Sequence, residues 1–447
     1  MHRVLLFILG SATLVAALPS RPSAIIILAD DMGYGDLAAN GASDVQTPHL
    51  DALAKSGLRF TAMRANATVC SPSRAALLTG RHPDRVGVPG VIRTEARESW
   101  GWLAPEVPTL GNELKAAGYH SAVIGKWHLG LDADSHPLAR GFDFFHGFLG
   151  DMMDSYTSHL RHGINYMRRD REVIQPEGHA TDLFAQWACD YLRQRQQHSA
   201  GQPFLLYLAF NAPHFPIEPP SRLLQLVKQR SPQMDGKRAA NVAFVEHLDE
   251  AVGRVLDCLR ELGLEQQTLV AFSSDNGGSL AHGQSNLPWR GGKQDHYDGG
   301  LRVPFLVRWP AVVKPGLSDY QGQLFDLFAT LLELAQRRRS AQLDAHSLLP
   351  ILTGGKLPDR ELYFVRREGG PPYGGRSYEA LIKDGWKLMQ NDPYSAMELY
   401  HLDVDPGERH NLAGKASAVQ RRLQQALSRQ IQRGGAVPWQ RPEGRKP

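Results

Sequence analysis

Cysteine is scarce in this chain: three in 447 residues, at positions 70, 189 and 258. So sparse and odd a set excludes a scaffold built on disulfides. Cys189 and Cys258 both fall in helix-like stretches. They pair only if those helices pack together, and otherwise stand as two buried thiols. A surplus of one charge is also missing. Lys plus Arg number 50 against 46 Asp plus Glu, a formal net charge of +4. That is too small for a nucleic-acid-binding chain, and no long basic run occurs outside 337–339 and the C-terminal end. After the first twenty residues no apolar stretch is long enough to cross a bilayer, and no internal repeat occurs.

The one apolar run lies at the start. Met1-His2-Arg3 precedes a stretch from Val4 to Ala17 broken only by Gly10, Ser11 and Thr13, with small residues at Val15-Ala16-Ala17. This is the make-up of a secretory signal peptide over 1–20. It predicts an exported chain (periplasmic, secreted or in a lysosome-like lumen) without stable membrane association. An uncleaved anchor is the competing reading, since Arg3 is the only fixed charge ahead of the run.

With 42% hydrophobic residues, the remainder can bury one large core and a second small one. Ala24 to Leu28 is a β-branched run suited to a strand covered on both faces, and similar strands follow at Ser121–Ile124, Phe204–Phe210, Leu269–Phe272 and Val303–Val307. Amphipathic helices such as Leu110–Ala117 and Val242–Leu262 lie between them. The alternation predicts an α/β fold with a large central, mostly parallel sheet flanked by helices over 21–345. From 346 to 435 the texture changes to short strands and Gly-rich turns, then a helix from about Ser417 to Arg433. A small C-terminal antiparallel sheet plus one helix is expected there, followed by a tail without fixed structure over 436–447.

The polar residues that follow these strands carry the chemistry. Asp30 and Asp31 follow the first, Lys126 and His128 the second, His214 the third, and Asp275 and Asn276 the fourth. In an open α/β sheet, ligands bind outside the carboxyl ends of the strands. Asp30, Asp31, Asp275 and Asn276 offer only oxygen, which suits a hard divalent cation. Lys126 and His128, two apart in an extended segment, face the same way. His214 sits in the loop Ala212-Pro213-His214-Phe215-Pro216, and Lys293 in Arg290-Gly291-Gly292-Lys293, which leads into Tyr297 to Pro304.

The run Cys70-Ser71-Pro72-Ser73-Arg74-Ala75-Ala76-Leu77-Leu78-Thr79-Gly80-Arg81 says more than any other. Pro72 can open a helix, Ala75 to Leu78 are good helix formers and Gly80 is a natural stop. Cys70 then sits at a helix N-terminus, where the dipole and free N–H groups favour an anion, and Arg74 can reach back with a forked donor.

Together these motifs resemble the type I sulfatases of the alkaline-phosphatase-like superfamily, from about Ile25 to Asn411. The resemblance implies that Cys70 is oxidised to formylglycine (3-oxoalanine) by a formylglycine-generating enzyme and hydrated to a geminal diol. One hydroxyl attacks the sulfur of a sulfate ester, and the other expels sulfate by reforming the aldehyde. It implies one calcium ion on Asp30, Asp31, Asp275, Asn276 and a diol oxygen of modified Cys70. It makes Cys70, Arg74, Lys126, His128, His214, Asp275 and Lys293 the catalytic set. Arg74 and Lys126 hold the sulfate, His128 assists the diol, and His214 and Lys293 contact the sulfate and protonate the leaving oxygen.

Gly141 to Gly147 and Asn286 to Arg290 are similar to arylsulfatases of the A and B type and to N-acetylgalactosamine sulfatases. The implied substrate is a sulfated carbohydrate or aryl sulfate rather than a steroid sulfate. A phosphonate or phosphodiester hydrolase of the same superfamily is the alternative enzyme, and a non-catalytic sulfated-glycan binder the alternative of another kind. Asp298 stands where the family has Glu, and Phe328-Ala329-Thr330 lacks the usual proline. The loop 151–177, with Asp154, His159, Arg161 and His162, carries no readable code for the sugar. Asn66-Ala67-Thr68 matches a glycosylation acceptor, but its closeness to Cys70 argues for burial.

Overall fold

The computed structural model describes residues 21–338, 342–368 and 376–441. The expected signal segment and the last six residues lie outside them. Among the described residues no helix is long and apolar enough to cross a membrane.

The strand Ser23–Ala29 shows how the sequence builds the sheet. Alternate side chains of a strand face opposite ways, and here they divide between two cores. Ala24, Ile26 and Leu28 join one apolar cluster with Leu77, Leu78, Leu114 and Leu331. Ile25, Ile27 and Ala29 join another with Phe184, Leu192, Val245 and Val252. A strand wrapped in this way has no polar face, which is why its sequence is a continuous apolar run. The helices Cys70–Thr79, Leu110–Lys115 and Asp326–Leu334 cover the first face; Ala180–His198 and Gly236–Glu261 cover the second.

The sheet has ten strands, running from one edge Gly316–Ser318, Leu58–Phe60, Phe305–Arg308, Thr268–Ser274, Ser23–Ala29, Phe204–Ala209, His120–Lys126, Phe144–Phe148, Met167–Arg169 and Glu172–Val173. The five from Thr268–Ser274 to Phe144–Phe148 are mutually parallel; antiparallel pairs adjoin them on both flanks, and Gly316–Ser318 adds a parallel edge beside Leu58–Phe60. The expected α/β architecture is therefore present, as is the small antiparallel sheet: Leu362–Glu368, Arg376–Lys383, Trp386–Gln390 and Glu398–His401.

That second sheet differs from expectation in what it packs against. Helix Ser417–Gly434 covers one face through Leu423, Ala426 and Leu427. The other face shares its core with Leu301, and Tyr297 packs against it. The small core thus reaches back across the expected boundary at 345 into the segment that carries Lys293. Of the expected tail over 436–447, residues 436–441 are described. Trp439 stacks on Trp100 with ring centroids 4.5 Å apart, and Arg441 meets Asp132 at 3.5 Å and Asp134 at 3.3 Å.

Helices Ala180–His198 and Gly236–Glu261 do pack together, and Cys258 Sγ lies 3.7 Å from the carbonyl oxygen of Cys189. All three cysteines are buried free thiols in this structure.

Candidate active site

Strand register brings the polar residues to one rim. Ala29 pairs with Ser274, and Ala209 with both Leu28 and Gly125. Asp30, Asp275 and Lys126 therefore leave the sheet side by side. Asp275 N–H donates to Ala29 O at 3.1 Å and Asp30 N–H to Ala212 O at 3.1 Å. Gly125 is required there: its φ is +96°, and a Cβ would stand 2.0 Å from Ala209 O. Asp31, His128 and Gln294 hold positive φ values of 66°, 59° and 80°. Non-glycine residues in the left-handed region cost about 1–3 kcal/mol each and persist only where the surroundings fix them.

The helix Cys70–Thr79 is buried over its whole length. Its N-cap, Val69, supplies no side-chain cap, so the first N–H groups stay open to an anion. The helix ends as expected at Gly80, which is left-handed at φ 67° and donates its N–H to Ala76 O at 2.8 Å.

Cys70 Sγ lies 3.2 Å from Asp30 Oδ1, 3.9 Å from Asp31 Oδ1 and 3.7 Å from Lys293 Nζ. Arg74 grips Asp275 with Nε at 2.9 Å and Nη2 at 2.7 Å. Lys126 Nζ donates to Asp30 Oδ2 at 2.5 Å, and Lys293 Nζ to Asp31 Oδ2 at 2.7 Å. His214 Nε2 stands 3.5 Å from the same Asp31 oxygen. Asn276 Nδ2 donates to Asp31 Oδ1 at 2.7 Å, while its Oδ1 is buried without a partner among the described residues. Every residue of the expected catalytic and metal sets is thus in or against one cluster. His128 lies against Lys126 and Arg74 and is tied through Nε2 to Ile92 O at 2.7 Å.

Three carboxylates (Asp30, Asp31, Asp275) face three fixed cations (Arg74, Lys126, Lys293). Removing one partner of a buried pair costs about 3–5 kcal/mol, so this balance is what lets so many charges stay inside. Burial raises the carboxyl of Asp30, but Lys126, His214 and Arg74 overcome it and hold the group well below its ordinary range. Asp275 goes the other way: burial and the neighbouring Asp30 raise it to about 7. Burial, then Asp275 and Asp30, push the Cys70 thiol well above its ordinary value, which leaves it a weak nucleophile as a thiol. Burial and Lys293 lower His214 to about 4. Burial, Lys126 and Arg74 keep His128 neutral. Since Ile92 O can only accept, His128 carries its proton on Nε2 and its buried Nδ1 keeps a lone pair with no protein partner among the described residues.

The donor set fits a hard cation. Asp30, Asp31, Cys70 and His214 hold ligand atoms within 4.8 Å of one another, Asp275 and Asn276 adjoin them, and the unpaired Asn276 Oδ1 is an oxygen without a task.

The sulfatase family profile matches residues 22–337. The chain belongs to the sulfatase family. As a sulfatase it hydrolyses sulfate esters. A second profile, the C-terminal part of N-sulphoglucosamine sulphohydrolase, matches residues 292–433. The sulfatase is 36% identical to N-acetylgalactosamine-6-sulfatase of Canis lupus familiaris, covering 92% of this chain and 85% of the relative. It is 32% identical to arylsulfatase A of Homo sapiens, covering 93% and 88%. Among solved structures, Ps i-CgsB in complex with k-i-k-neocarrahexaose superposes with a TM-score of 0.85 at 27% identity, covering 94% of this chain and 95% of that one.

Several supporting residues of this sulfatase had no sequence signal. Tyr156 lies 2.6 Å from Asn211 O and 2.9 Å from His214 O through its hydroxyl, bracing the His214 loop. Phe215 stacks between His214 and His282, at 4.8 and 4.4 Å. In the 151–177 loop, Arg161 bridges Asp151 at 3.1 Å and Asp154 at 3.0 Å, so those charges answer one another. Asn66 is fully buried and accepts from Phe325 N–H at 3.0 Å, which rules out a glycan on this folded chain. Asp298, noted only as a departure from the family pattern, lies in a buried charge cluster with Arg64, Lys387 and Arg302.

Proposed function

We propose that this sulfatase removes sulfate from a sulfated sugar, with residue 70 acting as hydrated formylglycine and one calcium ion at the rim of the sheet. The reading is carried by the position of Cys70, at the uncapped end of a buried helix and within 3.9 Å of both aspartates and the Lys293 ammonium. The oxidised side chain supplies two hydroxyls, one to attack sulfur and one to release sulfate. The ion, held by Asp30, Asp31, Asp275 and Asn276, supplies positive charge for the oxygens around the reacting sulfur.

The chain's own residues do the rest. Arg74 and Lys126 hold sulfate oxygens, and the helix N-terminus adds N–H donors on the same side. His128 accepts a proton at Nδ1, the nitrogen its Ile92 bond leaves free. Lys293 Nζ stands on the Asp31 side and donates to the departing oxygen; His214 Nε2 stands beside it and donates there when the ring is protonated, since its Nδ1 proton is committed to Phe215 O at 2.6 Å. The 31–36% identity to N-acetylgalactosamine-6-sulfatases makes 6-sulfated N-acetylgalactosamine the first substrate to try. A panel of sulfated mono- and disaccharides, with an aryl phosphodiester and a heparin-derived N-sulfated disaccharide alongside, tests the reading. Turnover of the phosphodiester above every sulfate would replace it with the phosphodiesterase alternative.

Lys293→Ala and His214→Ala separate proton donors from sulfate clamps. Each should lose about 10²–10⁴-fold on a sugar sulfate, whose leaving alcohol is poor, and far less on nitrocatechol sulfate, whose leaving group needs little help. Arg74→Ala and Lys126→Ala should lose activity on both. Equal losses for Lys293→Ala and His214→Ala on the two substrates would withdraw the proton-donor role.

A further inference from the structure

Lys293 is not held by its own loop alone. The segment from Arg290 to Leu301 lies between the large sheet and the four-stranded sheet, and the second sheet grips it at intervals. Arg290, on one side of the lysine, reaches Glu408 O at 2.5 Å and the Tyr400 hydroxyl at 3.2 Å. His296 N–H donates to Asn391 Oδ1 at 2.8 Å. The Tyr297 hydroxyl donates to Glu398 at 2.8 Å. Asp298 N–H donates to Glu408 Oε2 at 2.6 Å, and Lys387 bridges Asp298 at 3.1 Å and Glu408 at 2.8 Å. Leu301 completes the small sheet's apolar face.

The large-sheet side holds the same segment mainly at its two ends, where Asn286 Nδ2 donates to Gly291 O at 3.1 Å and Arg64 pairs with Asp298 at 2.8 Å, and by backbone around the lysine. Lys293 N–H donates to Gly278 O and Gln294 N–H to Thr68 O, both at 2.9 Å. The two chains approach so closely that a Cβ on Gly277 would stand 1.9 Å from Gly299 O. Gln294, the residue after the lysine, pays for the turn with its left-handed φ. A strained turn stays put only if its far end is fixed, and the contacts from 391, 400 and 408 fix it together with Arg64 on Asp298. The match of one family profile to 292–433 treats the lysine loop and the small sheet as one unit.

We infer that the C-terminal sheet is the positioning element for Lys293, with Asn391, Tyr400 and Glu408 as positioning residues that never touch substrate. Its task is to keep Nζ at Asp31 and at the departing oxygen. The inference rests on the role proposed above for Lys293.

Asn391→Ala deletes one bond on the loop three residues beyond the lysine. It should lose about ten- to a hundredfold in kcat on a sugar sulfate, with a smaller loss on nitrocatechol sulfate and little change in KM. Hydrogen exchange of peptide 290–298 should accelerate while the melting temperature stays put. Asn391→Asp, which keeps the Oδ1 acceptor, should restore both exchange and kcat. Tyr400→Phe should repeat the pattern more weakly. Because the effect passes through the lysine, Lys293→Ala combined with Asn391→Ala should be no worse than Lys293→Ala alone. Unchanged exchange in that peptide, equal losses on the two substrates by Asn391→Ala, or additive losses in the double variant would each overturn the inference. Equal losses by Lys293→Ala itself would instead withdraw the lysine's role, while exchange and additivity would still judge the clamp.

Discussion

Protein that retains a thiol at position 70 should turn over neither sugar sulfates nor aryl sulfates. As a thiol, Cys70 is buried beside Asp30 and Asp31 and its deprotonation is opposed. A thiolate could attack sulfur once but has no second hydroxyl with which to let sulfate go. Cys70→Ala should therefore fall by about six orders of magnitude, the scale on which covalent catalysts lose activity with their nucleophile. Cys70→Ser should differ in kind: it is expected to gain the mass of one sulfuryl group and stop. Both variants should melt as the parent does, since each replacement is no larger than cysteine in a site that is already enclosed. Peptide mass across residue 70 of active material should show an aldehyde in place of the thiol. Full activity in material whose residue 70 is entirely thiol would end this account.

Removing the metal should be nearly as damaging. The cluster is balanced without it, three carboxylates against Arg74, Lys126 and Lys293, so the fold can stand while a chelator empties the site. An anionic ester then gains no net attraction. With a divalent cation added, the cluster would carry a surplus that a sulfate ester offsets, so calcium and substrate should favour each other's binding. Chelation should abolish turnover and calcium should restore it. Calcium at a hundred times its dissociation constant should add about 2.7 kcal/mol to folding stability, visible as a raised melting temperature. Asp30→Asn, which keeps the shape and removes the charge, should lose most of that calcium-dependent shift. Asp30→Ala should lose it as well; both variants should destabilise the chain by leaving Lys126 buried without its carboxylate, Asp30→Ala the more because it also removes the oxygen that accepts from Nζ. Restoration by zinc and not by calcium would contradict a site built on oxygen.

The large sheet and the reacting cluster were legible because each rests on local pattern. A strand buried on both faces must be apolar throughout, and the polar residue after it must lie at the rim, so Asp30, Lys126 and Asp275 could be placed together without knowing the strand order. Cys70, Pro72 and Gly80 mark a helix start and stop in the same way. The supports were not legible, because they are long-range and chemically ordinary. Tyr156 braces His214 through two backbone carbonyls, which leaves no trace in composition. Asn391 and Glu408 are unremarkable in sequence and matter only because the small sheet folds back on 290–301. Asp298 did carry a signal as a departure from the family pattern. Its meaning lies with partners 89 and 110 residues away, Lys387 and Glu408. Trp439 shows the limit from the other side, since a Pro- and Arg-rich end gives no hint that its ring lies flat on Trp100.

All ten residues of the Cys70 helix are enclosed, with Ser71 taken by Ile92 N–H at 3.0 Å and Ser73 by Ala67 at 3.0 Å. If residue 70 is oxidised as proposed, this enclosure sets the order of events in the life of the chain. An enzyme that must seat the Cys70–Arg81 stretch in its own active site has no access to it once the chain has folded around this helix. Oxidation then belongs to the newly made, still open polypeptide, and a molecule that folds first is committed to inactivity for as long as it stays folded.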